Sequence, residues 1–237
     1  IGSEHIVGLA GQGASTGLAV AHYELHAWIV VLLAWVFVPF YYHAGVFTMP
    51  EFLERRFGPR PRWMLSLVSL AAYVLTKVSV TVYAGALVFS ALLPDTFGTP
   101  QNAFWIGAVL TVVVTGLYTV AGGLRIVLYT DAAQALILIL GSVFLMYFGL
   151  EALGGWGELT VFANQHVAEF ELWRPLSDPD FPWLGMLIAS PVVGIWYWCT
   201  DQYIVQRTLA AKSLTAARRG ALFGAFLKVW PVLIFLV

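Results

Sequence analysis

From Met64 to Leu93 this chain carries one charged side chain, Lys77, and from Phe104 to Ala121 it carries none. No other feature constrains the fold as strongly, because a helix of about 20 mostly apolar residues spans the hydrocarbon core of a bilayer. Seven candidate spans emerge, roughly 1–16, 18–42, 64–93, 104–121, 126–150, 183–205 and 220–237. Composition agrees: 60% of residues are apolar and 11% charged, where a soluble domain carries about a quarter charged. The mean hydropathy is +0.82. More apolar surface is present than a soluble core of this size consumes, and lipid is the medium that suits the surplus. The fold expected is all-α and polytopic, with 1–237 forming one transmembrane domain.

The connections set the orientation. Arg55, Arg56, Arg60 and Arg62 lie between the second and third spans, Arg125 lies between the fourth and fifth, and Arg207, Lys212, Arg218 and Arg219 lie between the sixth and seventh. The loop 94–103 has no basic residue, and the long loop 151–182 has only Arg174. Nine basic residues thus fall on one side and one on the other, with Lys77 and Lys228 inside spans. Basic loops face the cytoplasm, so the loops 43–63 and 206–219 are expected there. The protein is expected in the plasma membrane, or the cytoplasmic membrane of a bacterium. Within 46–56, Phe47, Met49, Phe52 and Leu53 interleave with Glu51, Glu54, Arg55 and Arg56, the pattern of a short helix lying on the cytoplasmic interface. Trp156 and Phe181-Pro182-Trp183 suit the outer interface.

Several classes are excluded. A net charge of −1 offers nothing to a nucleic acid. The single Cys199 makes no internal disulfide. Gly8, Gly11, Gly13 and Gly17 neither follow a strand nor open a βαβ unit, so close helix packing or an unwound helix explains them better than a dinucleotide loop. Zinc-type spacing, a nucleophile elbow and a phosphate loop are all missing from the sequence, and nothing points to an enzyme or to an organic cofactor. The opening Ile1-Gly2-Ser3-Glu4-His5 does not read as a signal peptide. Because the chain stops inside the apolar run Val229–Val237, it is expected to be a piece of a longer protein.

Ionisable groups inside spans are costly and mark function or structural pairing. His22 and His26, four apart, share a helix face, whereas Glu24 points roughly the other way. Glu24 reads either as a hydrogen-bond acceptor for a polyhydroxylated solute or as an interfacial carboxylate. Thr130, Asp131 and Gln134 form one polar stripe in the fifth span. It serves either as oxygen ligands of a hard cation such as sodium or as an interhelical hydrogen-bond cluster. In the sixth span Ser190-Pro191-Val192-Val193-Gly194 precedes Trp196-Tyr197-Trp198-Cys199-Thr200-Asp201-Gln202. Proline and glycine together predict a broken helix lining a cavity, with aromatic rings stacking on a solute just beyond it. An interface belt is the alternative for those rings. Lys228, deep in the seventh span, either donates to solute hydroxyls or pairs with Glu24 or Asp201. Lys77 reads first as a structural pairing residue.

These residues carry a family resemblance. The chain resembles the sodium:solute symporter family, and within it the sodium/glucose cotransporter branch. The resemblance runs through Ile1-Gly2-Ser3-Glu4-His5-Ile6-Val7-Gly8-Leu9-Ala10-Gly11, Thr48-Met49-Pro50-Glu51-Phe52-Leu53-Glu54-Arg55-Arg56-Phe57-Gly58 and Leu117-Tyr118-Thr119-Val120-Ala121-Gly122-Gly123-Leu124. It continues in Tyr129-Thr130-Asp131, Trp196 to Gln202, and Val205-Gln206-Arg207-Thr208-Leu209-Ala210-Ala211-Lys212. The run Trp196 to Gln202 is the part that points to the sugar branch. The resemblance implies a core of two inverted five-helix repeats working by alternating access, of which this chain covers helix one to the start of helix seven. It implies that His5, Glu24, Tyr197, Trp198 and Lys228 contact or gate the solute. It also implies that Asp131 serves sodium coupling and that Ile1 lies beside a sodium site. Two positions depart from it: Gly194 stands where relatives carry a side chain able to bond the sugar, and Thr81 where some carry an aspartate.

The function expected is sodium-driven symport of a monosaccharide of the glucose or galactose kind, with sodium as coupling ion and the lipid bilayer as surroundings. The rivals are another cargo (inositol, a monocarboxylate or an amino acid) and a sensor built on the same fold.

Overall fold

The computed structural model describes residues 4–236, with side chains for 7–234. Among these residues the secondary structure is helical; the one extended pairing is a single bridge between Arg174 and Pro182. The chain divides into two compact units, residues 1–14 with 70–159 and residues 15–69 with 160–237.

Helix α1 occupies 4–16 and α2 occupies 17–43. The stretch Val7–His43, together with α4 (Pro59–Leu92) and the stretch Pro100–Leu153, is long and apolar enough to cross a membrane. Pro100–Leu153 is two helices, α5 (100–122) and α6 (124–153), because Gly123 at φ 55, ψ −156 leaves the helical region in a direction that side-chain-bearing residues avoid. These three stretches hold the first five expected spans. The sixth is α9, a shorter apolar helix over Gly185–Thr200, and the seventh is α11 (214–236), which opens with Arg218 and Arg219. Between them lie α3 (Met49–Phe57), α7 (Trp156–Gln165), α8 (Val167–Phe170) and α10 (Gln202–Leu209).

In the first unit, α4 packs on α5 through small residues. Ala84, Ala86, Ala103 and Gly107 are buried there, Phe89 lies against Gly107, and Tyr83 meets Phe104 edge to face at 5.7 Å. Small side chains let the backbones approach, which is how helices associate in lipid. The other faces of α4, α5 and α6 present long rows of exposed Leu, Val and Phe, a surface that suits lipid and not water.

The second unit has two apolar clusters. One holds Ile29, Val30, Leu33, Val38, Cys199, Ala217 and Ala225, where α2 lies along α11 and α9. The other holds Tyr41, Val46, Met49, Val205 and Leu209 and seats α3 on α10. Helix α3 covers most of the 46–56 stretch expected to be a short helix. The Thr48 hydroxyl accepts from the Glu51 N–H at 3.2 Å while the Glu51 carboxylate accepts from the Phe47 N–H at 2.9 Å, a reciprocal cap with Pro50 in the first turn. That cap, with Arg55 bridging Glu51 and the Ala44 carbonyl, is what the Thr48-Met49-Pro50-Glu51 motif builds.

Candidate functional site

The expected break at Ser190–Gly194 is not where α9 breaks. Pro191 has no N–H to give, but the chain takes a wide turn over Gly185–Ala189 just before it, and the helix runs on through Gly194. A second wide turn covers Trp196–Thr200, and the helix stops at Asp201, which is extended at φ −69, ψ 130. The span read as 183–205 is therefore divided there. Its loose ends are tied on each side. The Tyr41 hydroxyl donates to the Cys199 carbonyl at 2.9 Å, the Asp201 carboxylate accepts from the Tyr203 N–H at 2.8 Å, and the Gln202 side-chain oxygen accepts from the Met49 N–H at 2.6 Å. Buried backbone groups demand such partners in a medium without water.

Two helices, α2 and α11, bring a charge pair against an indole of this stopped helix. Lys228 Nζ of α11 lies 2.9 Å from Glu24 Oε2 of α2, each side chain 10% exposed. The same ammonium sits 4.7 Å from the ring centre of Trp198. Tyr197 meets Trp198 edge to face at 5.0 Å and is half-buried. Of the two partners the sequence offered for Lys228, the structure selects Glu24. The group combines an anionic acceptor, a cationic donor and a flat aromatic face. These are the three features that hold a ring bearing hydroxyls on its rim and C–H bonds on its faces.

The two histidines on α2 serve other partners. Leu25 and His26 interrupt the helix, and the His26 carbonyl accepts from both Ile29 N and Val30 N. His22 Nε2–H donates to the Leu172 carbonyl at 2.8 Å, and its ring packs on Trp173. His26 Nε2 shares a 2.7 Å hydrogen bond with the Ser190 hydroxyl, both groups buried. The loop that takes His22 is tied by Arg174, which reaches Asp178 and the Thr16 carbonyl. The Asp178 carboxyl is held below the usual carboxylate range by the Phe181 N–H first, then by the Asp180 N–H and Arg174.

Asp131 lies in the other unit, half-buried on α6. Beside it the Thr130 hydroxyl donates to the Val127 and Ile126 carbonyls. Lys77, read first as a pairing residue, sits over the Tyr73 ring at 4.5 Å, and the Thr81 hydroxyl donates to the Lys77 carbonyl. Among the described residues, no three His, Cys, Asp or Glu side chains gather as a metal site. Ile1 lies outside the described residues, and His5 is described only by its backbone within α1. Tyr41 and Ser190 escaped the sequence reading as individual partners. A tyrosine hydroxyl and a serine hydroxyl inside apolar spans were the available signals.

The long apolar helices, with an ion pair and an indole packed where a shorter one stops, define a helical membrane protein. The family model of the sodium:solute symporter family matches residues 1–237, and the chain belongs to that family. It is similar to "Sodium/glucose cotransporter 4" of Danio rerio, 39% identical over 98% of this chain and 37% of that protein. It is as similar to "Sodium/myo-inositol cotransporter 2" of Homo sapiens, 41% identical over 99% of this chain and 36% of that protein. "Sodium/glucose cotransporter 1" of Oryctolagus cuniculus is 39% identical over 98% of this chain and 37% of its own length. The chain spans about a third of the length of the curated relatives it matches. It is a multi-pass membrane chain, and its relatives are cotransporters, not enzymes.

Proposed function

We propose that the protein containing this chain couples an inward flow of sodium to the inward movement of a small ring polyol, a monosaccharide or myo-inositol, by alternating access. The observation that carries the reading is the trio of Glu24, Lys228 and Trp198, a largely covered ion pair against a half-buried indole. A carboxylate accepts from hydroxyl groups, an ammonium donates to them, and an indole face stacks on the apolar side of the ring. An anionic cargo gains from Lys228 but meets Glu24, and two like charges in a water-poor site are costly. Tyr197 closes the same face beside Trp198, and His5 joins as a further donor or acceptor. Asp131, with Ile1, serves sodium coupling, and no cofactor is needed. The basic residues of the loops 43–63 and 206–219 support a cytoplasmic assignment for those segments, and the reading assigns the protein to the plasma membrane, or the cytoplasmic membrane of a bacterium.

Myo-inositol stands beside the sugars for a specific reason: a named myo-inositol cotransporter matches this chain at 41% identity, level with the glucose cotransporters. Both cargoes are six-membered rings rimmed with hydroxyls, so the trio alone does not choose between them.

The test is uptake of labelled glucose, galactose and myo-inositol by the full-length parent in proteoliposomes, with and without an inward sodium gradient. Sodium-stimulated uptake of at least one is expected. Lys228→Ala should abolish it and Asp131→Ala should weaken its sodium dependence. Folded protein that takes up none of the three in response to sodium overturns the reading.

A further inference from the structure

We infer that His26 is a specificity-determining residue of the solute site: its Nδ1, left uncovered by Gly194, exchanges a hydrogen bond with one hydroxyl of the ring polyol. This rests on the reading of Glu24, Lys228 and Trp198 as the solute site.

Three observations carry it. The first is place. His26 follows Glu24 by two residues, a spacing that puts side chains on opposite sides of an uninterrupted helix. The helix is interrupted at Leu25–His26, with His26 at φ −58, ψ 3, and Glu24 and His26 are both buried. His26 meets Ser190 and Gly194 of α9, and one further turn along α9 from Gly194 lies Trp198, under the Lys228 ammonium. The imidazole therefore stands next to the trio along the same helix face.

The second is fit. A Cβ added to Gly194 would lie 2.9 Å from His26 Nδ1 and 2.4 Å from Ile29 Cδ1. Any side chain at 194 covers that nitrogen or pushes the ring away. Glycine does neither, so the nitrogen on the facing helix stays open.

The third is bonding. Nε2 is committed to Ser190 at 2.7 Å, which fixes the ring and leaves Nδ1 as the free valence among the described residues. When the serine donates, Nδ1 carries the proton and donates; in the other tautomer it accepts. A hydroxyl, able to do both, is the partner that suits either state, whereas a carboxylate or an ammonium suits one. The ring thus favours a polyol and reads the position of one hydroxyl. A site built to bond a hydroxyl discriminates against the analogue that lacks it, because its own polar atom is then left unpaired.

The experiment is a set of monodeoxy analogues of the transported ring, monodeoxyglucoses or monodeoxyinositols, competing for sodium-driven uptake by the full-length parent. In the wild type one analogue should bind about tenfold more weakly, the loss expected for one neutral hydrogen bond of roughly 1.4 kcal/mol. In His26→Phe, which keeps the ring and removes its nitrogens, the penalty for that analogue should fall to about twofold or less, with the other analogues keeping theirs. Gly194→Ala should abolish the same penalty by displacing the imidazole. His26→Gln, which keeps an amide able to donate and accept, should retain part of it and guards against loss of folding in the phenylalanine variant. Unchanged penalties across the set in His26→Phe or Gly194→Ala, in protein that still shows sodium-driven uptake, overturn the assignment. Absence of sodium-driven uptake of any parent ring in the wild type overturns the underlying function as well, so the two failures are distinguishable.

Discussion

Lys228→Met is the most informative single change in the second unit. It removes the ammonium 2.9 Å from Glu24 Oε2 and 4.7 Å from the Trp198 ring centre while keeping an unbranched apolar stem. Both charged side chains are 10% exposed, so solvent screening is slight. Breaking a buried pair by deleting one partner costs about 3–5 kcal/mol, because the other charge stays behind without compensation. The lost ammonium–indole contact adds about 0.5–2 kcal/mol. Glu24→Gln in the same background removes the stranded charge, leaving the indole contact and an amide short of one partner, a total of about 2–4 kcal/mol. The double variant should therefore be more stable than Lys228→Met alone, by about 2 kcal/mol. Denaturant unfolding of the purified full-length parent in mixed lipid–detergent micelles, followed by tryptophan fluorescence, measures all four corners of the cycle. Losses in the double variant that equal or exceed the sum of the two singles would refute the claim that this pair is buried and coupled.

Tyr41→Phe removes the hydroxyl that serves the Cys199 carbonyl at 2.9 Å, leaving a buried acceptor unpaired at a cost of about 1–3 kcal/mol. Because Cys199 is the chain's one cysteine, a maleimide in a parent stripped of other thiols should label it faster in the variant, and equal labelling rates would contradict the tie. The Glu51 carboxyl is held below its ordinary range by the Phe47 N–H first, then by Arg55. A lowered folded value stabilises at pH above the unfolded carboxylate range, and that contribution is lost as pH falls through the folded value. The protection factors of the Phe47, Glu51 and Phe52 amides, corrected for the pH dependence of intrinsic exchange, should fall on acidification through this window in the wild type and stay flat in Glu51→Gln; parallel pH slopes would refute the cap.

Much of this architecture could be read in advance because lipid leaves few choices: an apolar stretch such as 104–121 becomes helix, and the Thr48-Met49-Pro50-Glu51 pattern becomes a capped helix start. The reading failed where backbone geometry was set by neighbours. Pro191 and Gly194 looked like a break, yet a wide turn absorbs the missing N–H and His26 occupies the space over the glycine. The actual stop at Asp201 depends on Tyr41, far away in sequence, taking the Cys199 carbonyl. The Glu24–Lys228 pair joins residues 204 apart, and local periodicity carries no distance information of that range. It offered Glu24 and Asp201 as equals. The interruption at Leu25–His26 has no proline or glycine to announce it, so the side to which His26 turns was invisible.

The bond from the Met49 N–H to the Gln202 side chain makes the surface helix α3 a pointer attached to the start of α10, two residues past the end of α9. A dye or spin label carried on the exposed ring position Phe57 would move with the residues just beyond the aromatic run, while standing clear of the Glu24 carboxylate and its ammonium. A reporter at that position leaves the proposed solute groups untouched while it follows the end of the aromatic run.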